Sequence, residues 1–345
     1  MPGDTLQRGR DGLESAGYFA VLNPGGRDKK RLFPNGAGSP SDDGHAPINY
    51  HAYAACCRGG FFQAWKEIPE SVGTVLVLLR VNGLDAALKA VREAQKEGKK
   101  ALISWKESGL HQVAESLGAS WRYEKLKELC ELADGYIAST PELEELYKAA
   151  GAKAGEFVPT PYPVEEAAWN FSHAITERKG IFIGTREFDV PSRNHALAVS
   201  LASKLGEPVT VLNADGGRGE RYLKLISSEI NVVTGPLPYV DYLRLMAKHR
   251  IVFHLDRSAV PGQVAGDALL CRMPCVGGDG AIERLVFGEI SGFGRTTREV
   301  VEIAEKLLKD ERAYIGSMAR TRVAAVEKLS FSAGAETLQR ICGVS

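Results

Sequence analysis

Residues 251–278 read IVFHLDRSAVPGQVAGDALLCRMPCVGG, and the changes of pattern within them decide the fold. IVFHLD is a short, mostly apolar run of the kind that fills a buried strand. Pro261-Gly262 then turns the chain, because proline fixes its own φ and glycine accepts conformations closed to other residues. QVAGDALLCR follows with helical spacing, and CVGG opens a second strand. A strand, a crossover helix and a strand in immediate succession imply parallel neighbours in a sheet covered on both faces.

The same alternation extends outward from this stretch. On its N-terminal side come GIFIG, PVTVLN and INVVTG as strands, separated by the helices RNHALAVSLASKLG, RYLKLISS and YVDYLRLMAKH. It is interrupted at EFVPTPYPVEEAAW, where Pro159, Pro161 and Pro163 exclude regular structure. Before that point GTVLVLLRV, KALISW and YIAS read as strands, with LDAALKAVREAQKEG and WRYEKLKELCELADG as helices. Thr140-Pro141-Glu142 starts a further helix with a capping hydroxyl, a proline in the first turn and an acid at the positive end of the dipole. NYHAYAACCRGGFFQAW reads as a helix broken at Gly59-Gly60, and YFAVL as the first buried strand. Residues 23–48 between them, NPGGRDKKRLFPNGAGSPSDDGHAPI, have no period, and so long a connection is functional or mobile. The expectation is an α/β protein of two Rossmann-like domains facing each other across a cleft. Their bounds are 1–158 and 159–326, and a last helix, 327–345, crosses back to the first domain.

Composition narrows the function. Lys plus Arg and Asp plus Glu both number 43, so the chain as a whole offers no electrostatic attraction for nucleic acid. Its six cysteines form no CxxC pair and no ligand-like cluster with histidine, as expected of reduced thiols in a cytoplasmic protein. The polar start lacks the apolar core of a signal peptide, and Val75 to Leu79 is too short to cross a bilayer. Contact with a membrane is expected to be peripheral at most, through clusters such as KKR. There is no G-x-G-x-x-G after the first strand and no G-x-x-x-x-G-K-[ST], which sets aside dinucleotide and P-loop chemistry.

Ligands of open α/β sheets bind at the carboxyl ends of the strands, so the loops that follow strands carry the candidate chemistry. Gly184-Thr185-Arg186, with Arg193 at the next helix start, supplies two guanidinium groups suited to a diphosphate; the same residues would also serve as solvated helix-start charges. Thr234-Gly235-Pro236-Leu237-Pro238 is a turn that would hold a flat base or simply connect two elements. At Gly262-Gln263-Val264 the backbone N–H groups of a helix start suit a phosphate, and Asp267 suits a ribose diol or the helix dipole itself.

With these residues the chain resembles the retaining GT-B glycosyltransferases, in particular the large family-4 group. That group carries a Glu-x7-Glu segment of the form E-x-F-G-L-V-x-x-E-A, then a helix ending in G-x-P-V-V. Here AVPGQVAGDALLCRMPCVGG preserves Gly262, Val264, Ala268, Pro274 and Val276 of the pattern, and the order of elements fits over about residues 75–342. The resemblance places Arg186 and Arg193 on the donor diphosphate and Asp267 on the ribose. It departs at three points. The first glutamate falls on Ala259, the second on the shorter Asp267, and the histidine often found after KALISW is replaced by Trp105-Lys106-Glu107. Compensation is sought in the first loop, where Gly25 and Gly26 let a ligand approach the backbone. Asp42, Asp43, His45, Asn49 and His51 supply acid/base and hydroxyl-binding groups there. Lys106 suits a phosphate from the opposite wall. His45 and Lys106 are thus the candidate catalytic residues.

What the resemblance implies is transfer of a sugar from a nucleotide-sugar donor to an acceptor hydroxyl, with retention and without a metal or other cofactor. The partners would be the nucleotide sugar and a glycan, lipid or small-molecule acceptor, with no nucleic acid. Ala259 motivates an alternative: a catalytically impaired GT-B protein that binds a nucleotide sugar or glycan or supports an active partner. A third reading is another enzyme of the same architecture, such as a sugar-nucleotide epimerase or a phosphorylase.

Overall fold

The computed structural model describes residues 18–40, 47–106, 109–184 and 190–343. Two compact units emerge: the described residues of Met1–Gly38, Pro47–Pro163 and Leu329–Ser345 form one, and those of Ser39–Ala46 and Val164–Lys328 the other. The chain passes between them at Pro163, within the proline-rich segment, and again at Leu329.

The first unit is built on a seven-stranded sheet. Its strands are β1 (Phe19–Leu22), β2 (Arg31–Leu32), β3 (Gly60–Phe62), β4 (Thr74–Leu79), β5 (Lys100–Trp105), β6 (Gly135–Ala138) and β7 (Gly155–Phe157), in the order β2-β3-β1-β4-β5-β6-β7. All pairs are parallel except β2 with β3. The central strand TVLVLL is buried along its whole length, as a strand covered on both faces must be. The helices are α1 (Tyr50–Cys56), α2 (Leu84–Lys96), α3 (Leu110–Ser116), α4 (Ser120–Leu132) and α5 (Pro141–Ala149). Leu84, Ala87, Leu88, Val91 and Ala94 bury one stripe of α2 at helical spacing. Thr140 caps α5 by accepting from the Leu143 N–H at 3.3 Å. Two short strands depart from the sequence reading. The stretch read as a helix that merely breaks at Gly59-Gly60 continues as β3, and the aperiodic connection contains β2; runs of three and two residues carry no detectable period.

The second unit carries a five-stranded parallel sheet of β8 (Ile181–Ile183), β9 (Val209–Asn213), β10 (Asn231–Thr234), β11 (Ile251–His254) and β12 (Cys275–Gly277), ordered β10-β9-β8-β11-β12. Its helices are α6 (His195–Ala202), α7 (Gly216–Ile226), α8 (Tyr239–Ala247), α9 (Gln263–Leu270), α10 (Ala281–Val286), α11 (Thr297–Lys309) and α12 (Glu311–Leu329), and α13 (Phe331–Cys342) belongs to the first unit. IVFHLDRSAVPGQVAGDALLCRMPCVGG folds as β11, a turn, α9 and β12, with β11 and β12 parallel neighbours. Among the described residues no helix is long and apolar enough to cross a membrane.

Candidate functional site

In the second unit the loops that follow β9 and β10 enclose a cavity of about 430 Å³, within the size range of small-molecule sites. Asn213 and Ala214 form one side, Gly235, Pro236, Leu237 and Pro238 the other, and Tyr239 and Tyr242 of α8 extend the lining. Asn213 holds the two loops in place. Its side-chain N–H groups donate to Gly216 O at 2.7 Å and Thr234 Oγ1 at 3.1 Å, and its Oδ1 accepts from Asp215 N at 3.0 Å. Pro236 and Leu237 border a cavity with a largely apolar lining.

Tyr239 connects this cavity to α9. Its hydroxyl donates to Asp267 Oδ1 at 2.5 Å, and Asp267 is only 1% exposed. The carboxylate expected on a ribose is thus buried beneath the phenol, and Tyr239 is the group that meets the cavity. Sequence reasoning passed over Tyr239, which looks like an ordinary apolar position at the start of a helix.

At its N-terminus α9 is preceded by Gly262 in the cap position, whose φ of 96° lies in the left-handed region that favours glycine. A β-carbon there would fall 2.2 Å from Glu283 Oε2. Glu283 is 1% exposed, lies 3.3 Å from His254 Nε2, and keeps Oε2 without a hydrogen-bond partner among the described residues. Burial pushes the His254 imidazole down, but the Cys275 sulfur and the Glu283 carboxylate together hold it well above the ordinary histidine value. On the other side Val264 packs so closely on Gly184 that a β-carbon there would come 2.7 Å from Val264 Cγ1, which fixes the end of β8 against the start of α9. Gln263 and Val264 are the first two residues of α9, and both are partly exposed.

Arg193 ends a 3-10 turn, Pro191–Arg193, and places Nε 4.0 Å from Asp256 Oδ2 in the loop after β11. Ala259 has φ 47°, and its N–H donates to Asp279 Oδ1 at 3.1 Å. The side chain that reaches position 259 is therefore Asp279, from the loop after β12. Burial, with Asp256 and Glu283 nearby, raises the Asp279 carboxyl above the usual aspartate value against the opposing Ala259 N–H and Arg257 guanidinium. Nothing in the sequence pattern singled out Asp279, because the pairing of β11 with β12 is what brings it to Ala259. Among the described residues no three His, Cys, Asp or Glu side chains gather into a metal-binding group.

In the first unit Lys106 follows β5 and its Nζ pairs with Asp28 Oδ2 at 3.1 Å; Asn23 donates to the same oxygen. The lysine charge is thus matched inside its own unit, and its side chain is only 18% exposed. Gly25 is open: its φ is 68°, and a β-carbon there would meet no heavy atom within 4 Å. At Gly26, by contrast, a β-carbon would fall 2.0 Å from Asn23 Nδ2. The second glycine serves the packing of its own turn. The His51 ring stacks on Phe61 with centroids 3.9 Å apart. Arg186, Asp42, Asp43 and His45 lie outside the described residues.

No protein-family model matches the chain, and no curated protein matches it in sequence. Solved structures do match in fold. The Anabaena protein HepE, in complex with UDP and glucose, shares 13% identity at a TM-score of 0.60 over 95% of this chain and 100% of its own. A UDP-forming alpha,alpha-trehalose-phosphate synthase from Burkholderia xenovorans gives 11% identity and a TM-score of 0.60 over 95% and 99%. The pneumococcal O-GlcNAc transferase GtfA, in complex with UDP and GlcNAc, gives 12% and 0.53 over 78% of this chain and 56% of its own. The architecture is that of the GT-B glycosyltransferases.

Proposed function

We propose that the protein is a glycosyltransferase that moves a sugar from a nucleotide-sugar donor to an acceptor hydroxyl, and that its second unit holds the donor. The observation that carries this reading is the continuity from the cavity to α9 through the Tyr239–Asp267 hydrogen bond. A base would lie against Pro236 and Leu237, the ribose would meet the Tyr239 hydroxyl, and the diphosphate would meet the N–H groups at Gly262, Gln263 and Val264. Asp267 follows Gly262 by five positions, a rise of about 7 Å along a helix. That order and spacing suit a nucleoside diphosphate. The neighbours in fold that were solved with UDP make uridine diphosphate the first probe.

In this reading the bond between the anomeric carbon and the diphosphate oxygen breaks as the acceptor oxygen attaches, and the acceptor proton passes to the departing diphosphate. Arg193 and the start of α9 stabilise the charge that develops on the leaving group. Asp279 stands in for the acid that Ala259 lacks, accepting from a sugar hydroxyl or facing the positive charge on the anomeric carbon. Retention of configuration and independence of a metal belong to the proposal. The test is product formation from UDP-sugars and a panel of acceptors, with and without chelator. The non-catalytic alternative, favoured by Ala259, predicts saturable UDP binding without turnover, and with turnover appearing in Ala259→Glu.

A further inference from the structure

A second cavity, of about 270 Å³, lies in the second unit between the C-terminal end of α9 and one face of α12. Its lining is apolar, with Val164, Ile175, Leu269, Ile315 and Met318 among the contributors, apart from Arg272 and Arg322 and a threonine. Both arginines are exposed, and among the described residues neither pairs with a carboxylate. Burial lowers the Arg272 guanidinium below its ordinary value, and the Arg322 charge lowers it further, so the two cations act on each other. Two exposed guanidinium groups beside one apolar cavity are hydrated and screened, and an anion set between them would meet both.

The fold also fixes where Arg272 starts. Its φ is 49°, in the left-handed region, at the turn that ends α9. Buried Arg178 holds that turn: Nη1 donates to Arg272 O at 2.8 Å and to the Tyr314 hydroxyl at 3.1 Å, Nη2 to Cys271 O at 2.9 Å. One arginine is thus consumed in presenting another at the cavity.

We propose that this cavity binds an amphiphilic anion, with a phosphate or carboxylate head between Arg272 and Arg322 and an apolar chain against Leu269, Ile315 and Met318. Guanidinium forks match both head groups, and the lining gains by removing the chain from water. The cavity is reached at the end of α9 opposite Gly262, a helix length of about 12 Å away from the proposed diphosphate. Occupation of one site therefore leaves the other open, and the inference does not depend on the donor reading.

The test is titration calorimetry of the full chain with decyl phosphate below its micelle concentration, with decanol and inorganic phosphate as controls. Saturable binding of decyl phosphate, tighter than either control and unaffected by saturating UDP, is expected. Replacing Arg272→Gln and Arg322→Gln together should weaken it about tenfold or more, the loss of one or more charge-assisted hydrogen bonds. Ala319→Phe, an exposed position of the lining, should block it while leaving the melting temperature unchanged. A second arm uses sedimentation with phosphatidylcholine vesicles containing phosphatidic acid. Pelleting that the arginine pair controls assigns the head group to a bilayer lipid, and calorimetric binding without pelleting assigns a free amphiphile; both support the site. Absence of binding in both arms, or binding unchanged in the double variant, overturns it.

Discussion

The Tyr239 hydroxyl and the Asp267 carboxylate are joined by a 2.5 Å hydrogen bond, at the short end of the range for a hydroxyl donating to a carboxylate. Removing it in Tyr239→Phe takes a donor from a carboxylate that is 1% exposed. A stability loss of about 1–3 kcal/mol is expected in urea denaturation. UDP affinity should fall as well, because the same phenol lines the cavity. A variant with wild-type affinity for UDP would remove Tyr239 from the donor site.

Gly262 and Gly25 make a matched comparison. Both have positive φ, but a methyl at Gly25 meets open space while one at Gly262 meets Glu283 and Ile282. Gly25→Ala should cost about 1 kcal/mol, the backbone penalty alone. Gly262→Ala adds the displacement of a buried carboxylate, so a loss of about 3 kcal/mol or more is expected, with UDP binding abolished. Thermal melts and calorimetry of the two variants check the contrast.

Much of this was legible in the sequence. Apolar runs such as TVLVLL and IVFHLD, and helices with the stripe of Leu84, Leu88 and Val91, announce a two-sheet α/β chain because periodicity survives in single elements. Gly262 and the Pro236-Leu237 turn could be located by their position after strands. The contacts of Tyr239 with Asp267 and of Asp279 with Ala259 could not, since each depends on which elements lie side by side. The partner of Lys106 was hidden in another way: a cation after a strand invites a phosphate, and only packing reveals Asp28 beside it.

Asp279→Asn separates catalysis from binding. It keeps the acceptor that Ala259 N–H uses while removing the charge, so folding and UDP affinity should persist. In the proposed role kcat should fall about 100-fold, the scale of losing one electrostatic contact to the transition state. Unchanged kcat would leave Ala259 uncompensated.

His195 and His249 give stability a pH dependence of one sign, opposite to that of buried His254, whose folded value is raised. Burial, reinforced by Arg193 and opposed by Asp215, lowers His195 to about 4. Burial also lowers His249, whose Nε2 meets Thr210 Oγ1 at 2.8 Å. For a base whose folded pKa lies below its unfolded value, the unfolded chain takes up the proton first as pH falls. The stabilisation is therefore complete above about pH 6.5 and disappears on the way down to about 4. For His195 it amounts to on the order of 3 kcal/mol. His195→Gln should flatten the pH dependence of the unfolding free energy between those limits relative to wild type.

Equilibrium binding of UDP tests most directly whether the second unit holds a nucleoside diphosphate along the line from Leu237 to Gly262. Calorimetry should show one saturable site in the wild type, weakened in Tyr239→Phe and in Arg193→Ala and lost in Gly262→Ala. No heat of binding from UDP or from any other nucleoside diphosphate, with the protein folded and monodisperse, would contradict the account.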